Sequence, residues 1–383
     1  MSNTRIVYVT TVDLTVRFLL LDQLRHLRQA GYQVSAVCAQ GPWTEEIRAA
    51  GIGVHPVGLR RQISPLADLV AMVAMVRHFR AVRPHLVHTH TPKANLLGRL
   101  AARLAGVPVV VGTEHGFYFY GMTGSRRRFW VWLSRLGARW SDAVFLINQE
   151  DMDTALREGI CQPGQSVYLP GGVGVDMDRY APSPDAAVAR AALGLPADAP
   201  VVGMVGRLTF EKGYGDFFRA AVMVRQALPQ TRFLVVGPAD RQEEAEFRRL
   251  VDSLGLTDAV TFAGMRTDLP RVYPAMDVVC LPSYREGLPV VLMEAAVMGL
   301  PCVASDIRGC RDVVLHEVTG LLTAPGDPAS LAAATLALLR DPARRRQMGQ
   351  AARRRAETVF DQRLVFAQVE REYRRLLTAK GLA

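Results

Sequence analysis

Short runs dense in Val, Ile and Leu alternate with longer stretches of helical periodicity along most of the chain. "RIVYVT" (5–10) leads into the helix-like "RFLLLDQLRHLRQAG" (17–31), which Gly31 closes. "YQVSAVC" (32–38), "HLVHTH" (85–90), "VPVVVGT" (107–113) and "AVFLIN" (143–148) continue the series. Near-continuous apolar runs between amphipathic helices predict parallel strands covered on both faces. The rhythm breaks at the Pro- and Ala-rich "YAPSPDAAVARAALGLPADAP" (180–200). It restarts with "VVGMVG" (201–206), "RFLVVG" (232–237), "AVTFAG" (259–264), "DVVCLPS" (277–283) and "PCVAS" (301–305). The pattern predicts an α/β chain of two doubly wound, Rossmann-like domains, 1–180 and 181–362.

Composition narrows this picture. A chain of 383 residues with 49% hydrophobic and 21% charged residues is an ordinary globular protein of about two domains. No apolar run approaches the ~18 residues that span a bilayer, and "MSNTRIVYVTT" carries no signal-peptide pattern, so a cytoplasmic location is expected. Five cysteines without metal-like spacing read as reduced, buried thiols. The net charge of +10 points to an acidic partner. Nucleic acid is not expected, because no recognition signature accompanies the charge. A phosphorylated substrate or an anionic membrane surface fits better.

In open α/β sheets ligands bind beyond the carboxyl ends of strands, and two such stretches carry chemistry. "GRLTFEKGYGDF" (206–217) follows a strand and places Arg207 and Lys212 beside the start of the next helix. Two cations with free helix N–H groups make a diphosphate-binding corner, although the spacing is that of neither a Walker loop nor a dinucleotide fingerprint. The bland alternative is a solvated loop. "YREGLPVVLMEAA" (284–296) holds Glu286 and Glu294 at the two ends of an apolar run. Pro289 suits a first helical position, which puts Glu286 in the preceding loop and Glu294 inside the helix. Amides around Gly287, Leu288 and Val290 suit an anionic or hydroxyl-bearing group. Glu294 suits a pair of neighbouring hydroxyls, as on a ribose.

Strand–"GRL..EKG"–helix, followed about 75 residues later by strand–"PS..EG.P....E"–helix, resembles the donor half of family-4 retaining glycosyltransferases with the GT-B fold. "GLPCVASDIRGCRDVVLHEVTGLLTAPGD" (299–327) reads like the same family, especially its bacterial surface-polysaccharide and glycan-assembly members. The likeness is weaker over "PHLVHTHTPKANLLGRLAA" (84–102) and "TEHGF" (113–117). It implies two Rossmann-like domains facing each other across a cleft, with a C-terminal helix (363–383) crossing back to the first. It also implies that Arg207 and Lys212 hold the nucleotide diphosphate, Glu294 the ribose and Glu286 the donor sugar. Gly264 and Met265 would lie beside the base, and His115 would face sugar and acceptor. No metal and no cofactor are expected; the nucleotide-sugar is a substrate.

Family members often carry a Gly-Gly pair after the first strand, where this chain has "TTVDLTVRF" (10–18). That loop is therefore assigned to the acceptor, with Thr11 and Asp13 as candidates. "HTHTPK" (88–93) offers two histidines on one strand face without a third ligand, so His88, His90 and Lys93 are read as a polar rim of the acceptor cleft rather than a metal site. "SRRRFWVWLSRLGARW" (125–140) combines Arg126, Arg127 and Arg128 with Trp130 and Trp132, which suits either an anionic membrane surface or packing on the first sheet. The expected activity is transfer of a sugar, from UDP in the first instance, to a lipid-linked saccharide by an enzyme peripheral on the inner face of the cell membrane. The alternatives are a nucleotide-sugar 2-epimerase of the same fold and a non-catalytic binding subunit.

Overall fold

The computed structural model describes residues 4–181 and 185–382. Thirteen strands form two all-parallel sheets among the described residues. The first sheet contains β1 (Arg5–Val12), β2 (Gln33–Ala39), β3 (Gly53–Pro56), β4 (Leu86–His90), β5 (Val109–Glu114), β6 (Ala143–Leu146) and β7 (Ser166–Tyr168), in the order β3-β2-β1-β4-β5-β6-β7. The second contains β8 (Val201–Val205), β9 (Arg232–Val236), β10 (Val260–Phe262), β11 (Val278–Leu281), β12 (Cys302–Ser305) and β13 (Gly320–Thr323), in the order β10-β9-β8-β11-β12-β13. Strand order reverses between β1 and β4 in one sheet and between β8 and β11 in the other. Such switch points open a crevice beyond the strand ends.

All ten apolar runs singled out in the sequence are strands. The three strands they omit, β3, β7 and β13, are each the last in their sheet. Edge strands are short and paired on one side only, so their sequences (GVHP, SVY, GLLT) need no long apolar run. Two further differences are local. After β1 an α-helical turn, Asp13–Thr15, leads into a π-helical turn, Val16–Leu20, that passes into the helix Leu21–Gln29 rather than one uninterrupted helix. Within the Pro- and Ala-rich break, Ala186–Ala192 is helical, with Asp185 accepting from the Val188 amide.

Two compact units result: residues 1–173 with 362–383, and residues 174–361. The C-terminal helix Gln362–Ala379 therefore belongs with the first sheet, not with the chain that immediately precedes it. Val365, Phe366, Val369, Tyr373, Leu376 and Leu377 bury themselves against Ile6, Tyr8, Leu24, Leu86 and Phe145. Its apolar positions recur at helical spacing, which makes one face fit a sheet and leaves the arginine-rich face in water. All five cysteines are buried and free. Among the described residues, no helix is long and apolar enough to cross a membrane.

The helix also closes a polar chain inside the first core. Tyr373 bonds through its hydroxyl to both Tyr8, at 2.7 Å, and His88 Nδ1. Tyr373→Phe strands His88 Nδ1 in an apolar interior, and leaving a buried polar group unsatisfied costs about 1–3 kcal/mol. The unfolding free energy of the variant from urea titration is expected to fall by that amount, with a lower midpoint and an unchanged slope.

Candidate functional site

In the second unit, β8 ends at Val205 and the chain runs through a 3-10 turn, Phe210–Lys212, before the helix Tyr214–Ala227. Gly213 joins the two with φ +82°, and a Cβ there would stand 2.0 Å from the carbonyl oxygen of Pro282. Only glycine lets the β8 loop come this close to the loop after β11. Lys212 is thereby carried to Glu286: its Nζ donates to Glu286 Oε1 at 2.6 Å, and the Ser283 hydroxyl donates to the same oxygen at 2.8 Å. Glu286 Oε2 has no hydrogen bond among the described residues. Arg207 is exposed and makes no hydrogen bond or ion pair among them. Tyr284 donates to Asp216 Oδ2 at 2.5 Å, a second tie between the loop after β11 and the helix after β8.

Behind Glu286 the helix begins at Val290, with Pro289 as its N-cap (φ −76°, ψ 106°) rather than its first helical residue. No side chain caps this end. Leu288 and Pro289 are buried while Gly287 and Val290 are partly exposed, so the loop presents backbone more than side chains. Gly309 (φ +77°) packs so closely on Gly287 that a Cβ would lie 2.2 Å from its carbonyl oxygen. At the edge of the same sheet, Gly264 (φ +64°) turns the chain after β10 and leaves Met265 exposed.

Glu294 lies one helical turn deeper. It is buried and faces no paired cation; instead Tyr180 donates to Oε1 at 2.6 Å and Tyr273 to Oε2 at 2.7 Å. Burial raises its pKa above the ordinary carboxylate value, and the two tyrosine hydrogen bonds and Arg179 pull the other way. Tyr180, Tyr273 and Ser283 are absent from the sequence reading. Ser283 sits inside the quoted "PS..EG" pattern, but the two tyrosines come from distant segments and carry no local signal.

The residues assigned to the first unit are distributed differently. His88 and His90 are not on a rim: both are buried, and burial pushes their pKa values well below the usual histidine range. Both project from one face of β4 into the body of the unit, because β4 is central in its sheet and buried on both faces. His88 Nε2 lies 2.7 Å from the Thr113 hydroxyl, and His90 Nδ1 lies 3.1 Å from His115 Nε2. His115 is partly exposed, with its pKa lowered to about 4 by burial. No group of three or more potential ligands among the described residues is arranged to hold a metal ion.

Thr11 and Asp13 are also buried. The Thr11 hydroxyl pairs with that of Thr91 at 2.7 Å, across the β1/β4 switch point. Thr91 itself holds φ +74°, a strained value for a β-branched residue. Asp13 Oδ2 accepts from the Trp43 amide at 2.8 Å and the Thr44 hydroxyl at 3.2 Å, so this carboxylate braces the start of the helix Thr44–Ala49 instead of standing open. Lys93 Nζ is likewise engaged, with Asp68 at 2.8 and 3.0 Å.

The helix Gly124–Arg139 has two distinct faces. Val131 is buried and Trp130 packs edge-on to Tyr118, whereas Phe129 and Trp132 are each 54% exposed. Arg126 and Arg128 are exposed; Arg127 is not available in the same way, because Glu158 pairs with it at 2.6 Å.

The raised pKa of Glu294 has a consequence for stability. Between the ordinary carboxylate value and the raised one, the folded chain binds this proton more tightly than the unfolded chain. Stability is therefore lost as pH rises through that window. Glu294→Gln cannot ionise and escapes this loss. Thermal melts from about pH 4 to about pH 8 are expected to show the wild type losing ground to the variant as pH increases.

Two family models match the chain: "Glycosyl transferase 4-like domain" over residues 17–172 and "Glycosyl transferases group 1" over residues 185–355. The UDP-Gal:alpha-D-GlcNAc-diphosphoundecaprenol alpha-1,3-galactosyltransferase of Escherichia coli is 30% identical over 328 residues, 84% of each chain. The capsular polysaccharide biosynthesis glycosyltransferase CapM of Staphylococcus aureus is 22% identical over 98% of each chain. Among solved structures, the Anabaena protein HepE in complex with UDP and glucose superposes with a TM-score of 0.83 at 24% identity, covering 97% of this chain and 99% of its own. That last likeness is one of fold, two parallel-sheet Rossmann-like units in each. With both units matched by transferase models and 30% identity to a transferase over 84% of each chain, the chain belongs to the family-4 glycosyltransferases of GT-B fold.

Proposed function

We propose that the protein is a retaining glycosyltransferase that moves a sugar from UDP to a lipid-linked saccharide in bacterial surface-polysaccharide assembly. The observation that carries this reading is the contact of Lys212 with Glu286 at the β8/β11 switch point, with Arg207 exposed in the same loop after β8. Arg207, Lys212 and the uncapped helix at Val290 supply positive potential for a diphosphate, so the charge of the leaving group is met without a metal. Glu286 Oε2 is left to accept from a sugar hydroxyl. Glu294, held by two neutral donors, keeps lone pairs for the ribose hydroxyls. The backbone at Gly287, Leu288, Pro289 and Val290 flanks the phosphates, and Gly264 with Met265 flanks the base.

The proposed chemistry is a front-face displacement. The bond from sugar C1 to the diphosphate oxygen breaks while the acceptor oxygen bonds to C1 on the same face. The acceptor's proton passes to the departing phosphate oxygen, so no protein base is required. UDP as the carrier is supported by the Escherichia coli relative, a UDP-Gal-dependent transferase acting on a diphosphoundecaprenol-linked sugar, and that relative also supports a polyprenyl-diphosphate-linked acceptor. The relatives are transferases, which favours transfer over the epimerase and binding-subunit readings.

Lys212→Ala and Glu294→Ala are each expected to lower transfer about 30- to 1000-fold, since a lost charged hydrogen bond in a closed site costs roughly 2–4 kcal/mol. A panel of UDP-, GDP- and ADP-sugars scored by thermal stabilisation identifies the donor, because a specific ligand raises the melting temperature by mass action. Near-wild-type turnover in either variant removes the donor-site assignment.

A membrane-facing role is proposed for the helix Gly124–Arg139, at the inner face of the cell membrane. Its support is the pairing of exposed Phe129 and Trp132 with exposed Arg126 and Arg128. Arg127, spent on Glu158, is left out of the test. Each basic residue near an anionic surface contributes about 1 kcal/mol, so an Arg126→Ser/Arg128→Ser double variant is expected to bind anionic vesicles about thirtyfold less, with a weaker effect at high salt. Sedimentation with anionic and neutral vesicles measures it, and equal binding of both proteins rejects the role.

A further inference from the structure

His90 and His115 share one hydrogen bond, from ring nitrogen to ring nitrogen, and it fixes where the protons of both rings lie. His90 Nδ1 is 3.1 Å from His115 Nε2. The other nitrogen of His90, Nε2, is sealed from solvent and has no hydrogen-bond partner. The ring is held in place by stacking on Tyr8, at 5.2 Å and 19°, and by His88 at 4.1 Å. His88 is itself locked, with both nitrogens bonded, to Tyr373 and to Thr113. Burial keeps His90 and His115 neutral at pH 7, so each ring carries one proton.

Two arrangements satisfy the shared bond. In one, His115 Nε2–H donates to His90 Nδ1. The single proton of His90 must then sit on Nε2, where it is a buried donor with no acceptor. In the other, His90 Nδ1–H donates to His115 Nε2. His90 Nε2 is then a bare, under-used acceptor, and His115 carries its proton on Nδ1. Orphaned buried N–H groups are among the rarest features of folded proteins, and under-used acceptors are tolerated better. The second arrangement is the one this packing selects.

We propose that His90 is a positioning residue that holds His115 with its proton on Nδ1, so that His115 presents an N–H donor to its ligand. Nδ1 of His115 makes no hydrogen bond among the described residues, and the ring is partly exposed. The chemical class it recognises is an acceptor oxygen: a sugar hydroxyl oxygen or a phosphate oxygen. A neutral imidazole with Nδ1 protonated and Nε2 already accepting has no free lone pair, so His115 cannot take a proton from the sugar acceptor. That agrees with a displacement in which the leaving phosphate is the base. The consequence for catalysis rests on the reading of His115 as a ligand-facing residue; the proton positions rest on His90 alone.

The test is a long-range proton–nitrogen correlation spectrum of the full chain labelled with nitrogen-15 in its 8 histidines, near pH 7.5, with His115 and His90 assigned by substitution. Both rings are expected to show a protonated, pyrrole-type Nδ1 and a bare, pyridine-type Nε2. Free imidazoles in water favour the opposite tautomer, so this signature marks the pairing. A protonated Nε2 on His115 overturns the proposal. For the functional arm, His90→Phe keeps a flat ring but no donor, and is expected to lower kcat about tenfold at unchanged donor KM. His90→Asn, which places an amide N–H near the Nδ1 position, is expected to recover most of the loss. Equal turnover of His90→Phe and wild type overturns the positioning role. If the spectrum is as expected but His115→Ala transfers sugar normally, the ligand-facing reading of His115 fails while the proton positions stand.

Discussion

The second unit is organised around one close approach, that of Gly213 to the carbonyl of Pro282. Lys212 and Glu286 are 74 residues apart, and parallel pairing of β8 with β11 brings only their strands together. Bringing the side chains to 2.6 Å requires the two following loops to touch, which any Cβ at position 213 would prevent. The remaining features of the corner depend on that contact. Ser283 reaches Glu286, Tyr284 reaches Asp216, and the uncapped helix at Val290 is aimed beyond the strand ends. An ion pair of this kind, with both side chains partly exposed, adds little to stability. Its value lies in holding opposite charges ready at a place where a ligand can divide them.

The first unit depends on a different constraint, the return of the C-terminal helix. Tyr373 joins a chain running through Tyr8 and His88 to Thr113, so the last helix and the centre of the sheet share one polar network. Buried networks of this sort specify a unique packing when every member is satisfied. Here one nitrogen is not satisfied, His90 Nε2, and it lies one ring away from the partly exposed His115. The arrangement resembles a stiff wall behind a single adjustable group. Histidine rings packed this closely resist protonation, because each added charge would be buried beside the others.

Much of this was legible in the chain. Apolar runs between helical stretches gave the central strands, because strands buried on both faces must be apolar throughout. Three of the four edge strands escaped notice for the same reason reversed: β3, β7 and β13 need only half the pairing and half the burial. Spacing and motif placed Arg207, Lys212, Glu286 and Glu294 near strand ends, and the structure brings Lys212 and Glu286 into contact. The histidines were misjudged because a polar residue on a strand suggests an open face, yet β4 has none. Nor does local sequence reveal what a side chain will meet across the fold. Asp13 bracing the amide of Trp43 and Arg127 held by Glu158 are encounters of that kind.

Two buried charges show what separates a structural site from a receptive one. In the first unit Arg99 is fully buried but answered: Glu114 pairs with it at 2.8 Å, and its Nε donates to the Thr89 hydroxyl at 3.1 Å. Gly112 makes the room, since a Cβ there would stand 1.9 Å from the guanidinium. Such a pair holds strands and helix together, and removing either member leaves an uncompensated charge. Glu294 is also buried, but its side-chain hydrogen bonds come from the neutral hydroxyls of Tyr180 and Tyr273. Two neutral donors do not discharge a carboxylate, which is why its pKa stays raised. A stability-optimised core would have a methionine or leucine in that place, as its neighbours Leu292 and Met293 do. Keeping a carboxylate there, oriented from both sides yet not neutralised, makes physical sense as a standing capacity to accept hydrogen bonds from something that arrives later.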